Sequence, residues 1–507
     1  MESLSSFLTW RSAAGAAGLY YASLVFYRLF FDPLARFPGP KLAAISRWYE
    51  AYYDMIQNGQ YTAKIEQMHK KYGPIVRISP YELHIHDPAY FEKLYRHDGR
   101  WDKYAWSIDA FTAPGAAIWT PSHEVHRARR QPLNPYFSKA KVAARQDVVN
   151  RNVDKLCARM AAVAGKGDAI DLGAATSAFS RDIAIEYIIH KQHNSLDKED
   201  FNVLMTTVFQ DSGHMWRVTK HVRWFGPAII SMPIDWAIKN ADEGTKAFLT
   251  YVKEMRQYTQ EILNTIASSP VVDDKAERTV LHEITASDLP DSEKKFERVV
   301  DDVATLGGAG FETPATVLRL VFFHVFSSPE ILRRLRDELS TALQDVPKPV
   351  DVKVLEKLPY LTAVLMEGLR LSPGQATRTQ RIAPDRDLFY NDYRIPAGTP
   401  VGMTTLLLHT DPEVYPDPLT FNPDRWMDPT ERKKAEKTWF PFLRGTRMCI
   451  GMHLAWAEMY LLLATLVQKF DFEFVDRCAE DFECTSDQFL IGTKSRGVLK
   501  ARVTSIA

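Results

Sequence analysis

Cys449 sits in a run whose residue types suit chemistry: Phe442, Gly445, Arg447 and Gly451 surround it, and an apolar helix is expected to follow to about residue 470. A helix N-terminus leaves N–H groups unpaired and carries the positive end of the peptide dipole, which favours thiolate over thiol. Such a sulfur is either a metal ligand or a nucleophile. Gly445 and Gly451 would let the backbone lie against a flat, bulky cofactor where a Cβ would intrude, and Arg447 could pair with an anion on it. An isolated cysteine is more often a small buried hydrophobe, so the neighbours decide.

Three other groupings carry chemistry. His126 and Arg130, four apart on an expected helix, share a face and could grip one anion; the plainer alternative is a solvated basic face. His123 and His126 alone are weak evidence for zinc. Residues 296–326 read as one long helix, broken where Gly307, Gly308 and Gly310 strip a face and Pro314 withholds an N–H from the carbonyl of Gly310. Glu312 and Thr313 flank that notch, where a diatomic molecule and water could sit. Glu367 and Arg370 lie at i, i+3, and Arg425 follows in a second motif; taken alone, such a pair adds little.

The spacing of Phe442, Gly445, Arg447, Cys449 and Gly451 resembles the haem-binding signature of the cytochrome P-450 family, whose haem iron takes a Cys thiolate ligand. Leu443 departs from it, standing where the family has a small residue. Ala309, Gly310, Glu312 and Thr313 resemble the family's oxygen-activation motif, with Pro314 replacing a more usual hydroxyl or β-branched residue. The resemblance covers nearly the whole chain. It implies haem b on Cys449, with Ala309, His126, Arg130, Arg381 and Arg447 as further cofactor-binding residues, the last four as propionate donors. Glu312 and Thr313 are then the catalytic residues, passing protons to bound dioxygen through water. Glu367, Arg370 and Arg425 form a structural lock behind the cysteine loop. Phe111, Ile118, Trp119, Gln375, Ala376 and Leu490 line the substrate pocket.

The implied activity is monooxygenation of an apolar small molecule, in the manner of fungal microsomal members that tailor terpenoids, alkaloids or polyketides. Electrons would come from NADPH through a flavoprotein reductase, with cytochrome b5 as an optional second donor, and the enzyme would act as a monomer. Two alternatives stay open: a haem-thiolate isomerase or dehydratase needing no external electrons, and a non-enzymatic haem sensor.

The elements that must position these residues are mainly helical. With 507 residues, 46% of them hydrophobic and 12% aromatic, the chain can bury a large core around a cofactor. Lys plus Arg equals Asp plus Glu at 63 each, so no bulk charge points to nucleic acid. Four cysteines make no disulfide framework. The expected fold is the cytochrome P-450 fold, mainly α with a smaller β-rich lobe (α+β), preceded by an N-terminal transmembrane helix. Residues 1–31 read as the anchor, with Arg28 snorkelling at its end. Residues 32–45 are a Pro-rich hinge and 46–507 the catalytic domain. Positive charge after the span places that domain in the cytosol, on a single-pass endoplasmic reticulum protein.

Within the domain, residues 61–72 read as a helix, 75–79 and 82–86 as β-type runs, 101–121 as a long loop, and 399–409 as strand-like. Residues 487–493 look like a pocket-closing turn. Residues 215–233 mix apolar, aromatic and cationic side chains in a way suited to a membrane interface. Arg127, Arg129, Lys433, Lys434, Lys437 and Arg444 form a candidate basic patch for an acidic reductase.

Overall fold

A computed structural model describes residues 10–268 and 278–506. The axis of the fold is the helix Phe296–Ser327, 32 residues long, about 48 Å at the usual rise of 1.5 Å per residue. It is not broken: its helical assignment runs through Pro314. The expected notch is therefore a local loss of one N–H, not an interruption. It packs along Leu172–Ile189, a helix with 17 buried residues, whose enclosed Arg181 and Asp182 are hydrogen-bonded to Thr206 and to the N–H groups of Ser195 and Leu196. Close approach explains Gly310, where an added Cβ would lie 2.7 Å from the Cβ of Ala184.

Around this pair, the helices Gln146–Val163, Pro359–Leu371 and Met452–Lys469 complete one large apolar core. A second core lies under a small sheet in which Ile75–Arg77 pairs antiparallel with Leu83–Ile85. Leu83–Ile85 in turn pairs parallel with Val401–Gly402. The β-rich lobe thus draws on both halves of the sequence. Only residues 401–402 of the expected 399–409 strand are extended; Thr405–His409 is a helix. Helices Tyr61–Tyr72 and His123–Arg130 form where helices were expected; Ser122 caps the second by accepting from the Val125 N–H. A second three-stranded sheet orders Ala169–Asp171, Lys500–Ser505 and Phe470–Phe474.

The N-terminal reading is altered. Residues 1–9 of the expected anchor lie outside the described residues. The rest is the helix Trp10–Phe30, without a buried residue. Among the described residues, no single helix is long and apolar enough to cross a membrane. Arg28 does not snorkel outward: its guanidinium donates to Ile45 O and the Tyr81 hydroxyl, each at 2.5 Å, tying the helix end to the body.

Candidate functional site

The cysteine loop is built on one glycine. Gly445 has φ +77°, and a Cβ there would approach Arg96 O to 2.4 Å, so the need comes from a neighbouring strand of chain, not a cofactor face. Gly451 has φ −82° and no protein atom within 4 Å of an added Cβ. Leu443 holds φ +56°, where a side chain is strained. That explains why a small residue suits the position, and packing of Leu443 against the second core compensates.

Cys449 precedes the helix Met452–Lys469 by three residues and is solvent-accessible, yet the protein packed around it raises its thiol pKa. The N–H groups of Gly451 and Met452 and the charge of Arg130 pull the other way and do not win. The expected thiolate is therefore not a property of the helix end alone. A metal ion would have to displace the proton, as coordination of a thiol does. The sulfur is accessible although Met448 and Ile450 on either side are half-buried. Ala309 is likewise exposed in the middle of the otherwise enclosed central helix, and Thr313 one turn on is half-buried.

One end of this region carries a dense positive charge. Arg381 is buried, donates Nη1 to Gln380 O, and leaves Nη2 without a partner. Arg447 donates to the carbonyls of Thr120 (2.8 Å) and Pro121 (2.9 Å), while its Nε is buried and unpaired. Burial, then Arg381, pushes Arg447 down to about 9. His126 is held far below the usual histidine range by burial and by Arg447, Lys103, Arg130 and Arg381. The carboxylate of Asp102 acts on Arg447 in the opposite sense.

Buried cations with orphaned donors are costly unless an anion meets them, so this cluster fits the two propionates of a haem. Lys103, absent from the expected set, belongs to it: its ammonium is held well below the lysine range by desolvation and by Arg447, Arg381 and Arg130. Arg130 has a further task beside the expected one. It spends Nη1 on Met448 O (2.6 Å) and Nε on Asn134, bracing the residue before the cysteine.

On the central helix, Glu312 is buried, and its Oε2 accepts from Gln210 Nε2 (2.8 Å) and Arg319 Nη2 (2.9 Å). Its Oε1 is buried without a partner. Arg319 lies seven residues on, two turns along the same face, a spacing that would have revealed it. Thr313 Oγ1 donates to Ala309 O at 2.7 Å.

The lock is as expected and larger. Glu367, fully buried, takes Arg370 in a two-pronged pair (2.9 and 2.8 Å), Arg425 Nε at 3.3 Å, Trp426 Nε1 at 3.0 Å and the Asn422 N–H at 2.9 Å. His409 was not foreseen. Its Nδ1 faces Arg370 O at 3.1 Å and its Nε2 accepts from the Phe440 N–H at 2.8 Å, linking the lock to the start of the cysteine loop.

Burial and then Arg370 push His409 down to about 3. A histidine kept neutral in the fold gives its full stability above its unfolded pKa of about 6.5 and loses it as pH falls towards 3. Between pH 7 and pH 5 the loss from His409 is about 2 kcal/mol. Urea unfolding of the protein should weaken over that interval by about that much more than unfolding of His409→Gln; equal pH slopes would refute the arrangement.

The expected pocket residues converge. Phe111 and Trp119 stack at 3.8 Å, Gln375 bridges Leu490, and the Ala376 N–H donates to Phe489 O. Ile118 is 37% exposed, at the rim of this group. Residues 487–493 form the expected hairpin, Ser486–Gln488 against Leu490–Gly492. Residues 215–233 divide: Trp216, Arg217 and Lys220 are buried, whereas Trp224, Ile230 and Met232 are exposed. The basic patch shrinks. Arg129 turns inward to Glu293, Arg444 pairs with Glu92 and Lys434 with Glu431. Arg127, Lys433 and Lys437 remain of it.

The cytochrome P450 family profile matches residues 48–499. The chain is 36% identical over 490 residues to cytochrome P450 monooxygenase MO6277 of Ascocoryne sarcoides, covering 94% of this chain and 95% of that protein. It is 36% identical over 499 residues to the N-acetyltryptophan 6-hydroxylase ivoC of Emericella nidulans, covering 96% of each. A crystal structure of a cytochrome P450, CYP102L1, superposes with a TM-score of 0.71 at 18% identity, over 93% of this chain and 99% of that one, a likeness of fold.

Proposed function

This chain belongs to the cytochrome P450 family of haem-thiolate monooxygenases, and from that premise we propose that Cys449 holds haem b, that Arg381, Arg447, His126 and Lys103 meet its propionates, and that Glu312 and Thr313 deliver protons. The observation that carries this reading is the accessible Cys449 sulfur and exposed Ala309 within enclosed helices, beside cations with unpaired buried donors. When bound, haem supplies dioxygen activation and oxygen transfer, with the thiolate ligand favouring O–O cleavage.

The chain's own contribution is positioning and proton movement. Arg130 fixes the carbonyl before the cysteine, and the lock through His409 fixes the loop's start. Glu312 keeps one oxygen on Arg319 and Gln210 and has Oε1 unspent, so it can take a proton there while Oε2 keeps both hydrogen bonds. Thr313 can exchange its bond to Ala309 O for one directed at substrate-side water. Replacing Thr313 by Val removes the hydroxyl and keeps the shape. Product per NADPH consumed should fall by about 10²-fold while NADPH consumption continues. Unchanged coupling would refute the assignment.

The electron donor is an NADPH-fed flavoprotein reductase, with cytochrome b5 as an optional second donor. The substrate is an apolar small molecule of fungal secondary metabolism, supported by the curated fungal relatives. The location is the endoplasmic reticulum membrane with the domain in the cytosol. Supporting it are the helix Trp10–Phe30, none of whose residues is buried, and the exposed Trp224, Ile230 and Trp236, side chains of the kind that seat in a lipid interface. Incubation with the reductase, NADPH and an extract of host metabolites should yield a species heavier by one oxygen. Turnover without reductase would overturn the reading in favour of an isomerase or dehydratase.

A further inference from the structure

Four aromatic rings from four separate segments meet above the site. Trp119, Phe111 and Trp216 lie nearly parallel, with centroids 3.8 Å apart at 6° and 5.9 Å apart at 24°. Phe489 stands edge-on to all three, at 5.6, 4.7 and 5.6 Å. Most of the polar groups named here are satisfied internally, Arg217 Nε being buried without a partner. Trp216 Nε1 donates to Ser107 O, Thr219 Oγ1 to Ala110 O, and Arg217 to Asp487 O and the Gln488 side chain.

The cluster is tied to the reacting region from three sides. Just before Trp119, Ala117 N donates to Asp302 on the central helix at 2.7 Å; just after it, Thr120 O accepts from Arg447 of the cysteine loop. On the far side, Phe489 O accepts from Ala376 N, two residues after Gly374, whose Cβ position lies 3.9 Å from Thr313 Cγ2.

Phe489 also holds φ +69°, a conformation that strains an L side chain and that, in a bulky residue, points to a functional demand. The tip of the hairpin is thus held in a strained shape that presents this ring to the stack. Phe111, Trp119 and Phe489 are half-buried, so parts of these rings are left for a ligand. Ring edges are electropositive and ring faces electronegative, so an open flank of such a stack favours another flat π system over a saturated body of the same size.

We propose that Trp119, Phe111 and Phe489 select a neutral, planar aromatic substrate, which packs edge-to-face on this stack as Phe489 itself does. The inference rests on the monooxygenase reading above and narrows it to a substrate class.

The test is an optical titration of the ferric, haem-loaded full chain with naphthalene and with decalin, its saturated counterpart. Naphthalene should bind about tenfold more tightly, the size of effect expected of one or two aromatic pairs. In Trp119→Leu and, independently, in Phe489→Leu, the ratio should shrink to about threefold or less through weaker naphthalene binding, with decalin little changed. Decalin binding as tightly as naphthalene, a ratio unchanged in both variants, or no binding of either probe would overturn the proposal. The reduced carbon monoxide spectrum of the same samples separates the two readings. Its thiolate-type band stays if only the substrate class is wrong and is missing if the haem-thiolate assignment is wrong, while turnover without reductase marks failure of the monooxygenase reading.

Discussion

Changing Cys449 to Ser is expected to abolish oxygen insertion, lowering product formation by at least about 10³-fold, which corresponds to roughly 4 kcal/mol of barrier. The expectation follows from where the sulfur stands. It is accessible though packed in protein that disfavours its charge, with two backbone N–H groups and Arg130 lying against it. Those groups suit a sulfur whose negative charge is shared with a metal. A serine oxygen keeps the volume but is a harder, poorer donor, and it loses the electron release that favours O–O cleavage. Arg381, Arg447, His126 and Lys103 are untouched by the change, so some haem should remain bound through its propionates. The loss should therefore exceed the loss of haem when product is normalised to haem content. A variant that retained full product per haem would place the ligand elsewhere.

Replacing Glu367 by Ala should act on a different quantity. The carboxylate, fully buried, balances Arg370 and Arg425 and accepts from Trp426 and from the Asn422 N–H. Removing one member of such a network leaves buried guanidinium charge uncompensated, at a cost of about 3–5 kcal/mol, a large share of a stability of about 5–15 kcal/mol. Arg370 also holds the carbonyls of His409, Pro418 and Thr420. His409 holds Phe440 in turn, so damage at the lock reaches the cysteine loop. Most of the Glu367→Ala chain should purify without haem and melt earlier than the wild type. Glu367→Gln should fall between them, because it keeps the shape and one of the two acceptor oxygens that serve Trp426 and the Asn422 N–H, and loses the charge. A Glu367→Ala protein with full haem content and an unchanged melting temperature would show the network to be dispensable.

How much of this was legible beforehand depended on whether the signal was local. Helices 61–72 and 123–130 were readable because residue spacing along a helix is a property of neighbouring residues. Glu367, Arg370 and Arg425 were found by their motifs, but the burial that makes the trio matter is tertiary. His409 has no local signature; its two ring nitrogens acquire meaning only when residues 370 and 440 arrive on either side.

Errors followed the same rule. Residues 399–409 have the β-branched start of a strand, yet only 401–402 find a partner, and the chain then turns helical. Pro314 was taken to break the central helix, whereas dense packing around it keeps the helix continuous. Arg129 counted as surface charge until Glu293 was seen to fold over it. Lys220 suggested an interface, but Glu50 (2.9 Å) and Asp54 (2.5 Å) enclose its ammonium. Those acids and His221 converge closely enough to suggest a cation site, and the ammonium of Lys220 supplies that cation.

The thiolate is the most instructive case. Dipole and N–H groups were judged from the helix terminus alone and both do act on the sulfur, but desolvation, which no local pattern reports, outweighs them.

The absorption spectrum of the reduced, carbon monoxide-bound wild-type holoprotein tests the central claim most directly. Ligation by Cys449 predicts an intense band at the long wavelength typical of a thiolate, lost in Cys449→Ser at equal haem content. A wild-type band at the shorter wavelength typical of imidazole ligation, or a long-wavelength band that persists in Cys449→Ser, would contradict the assignment.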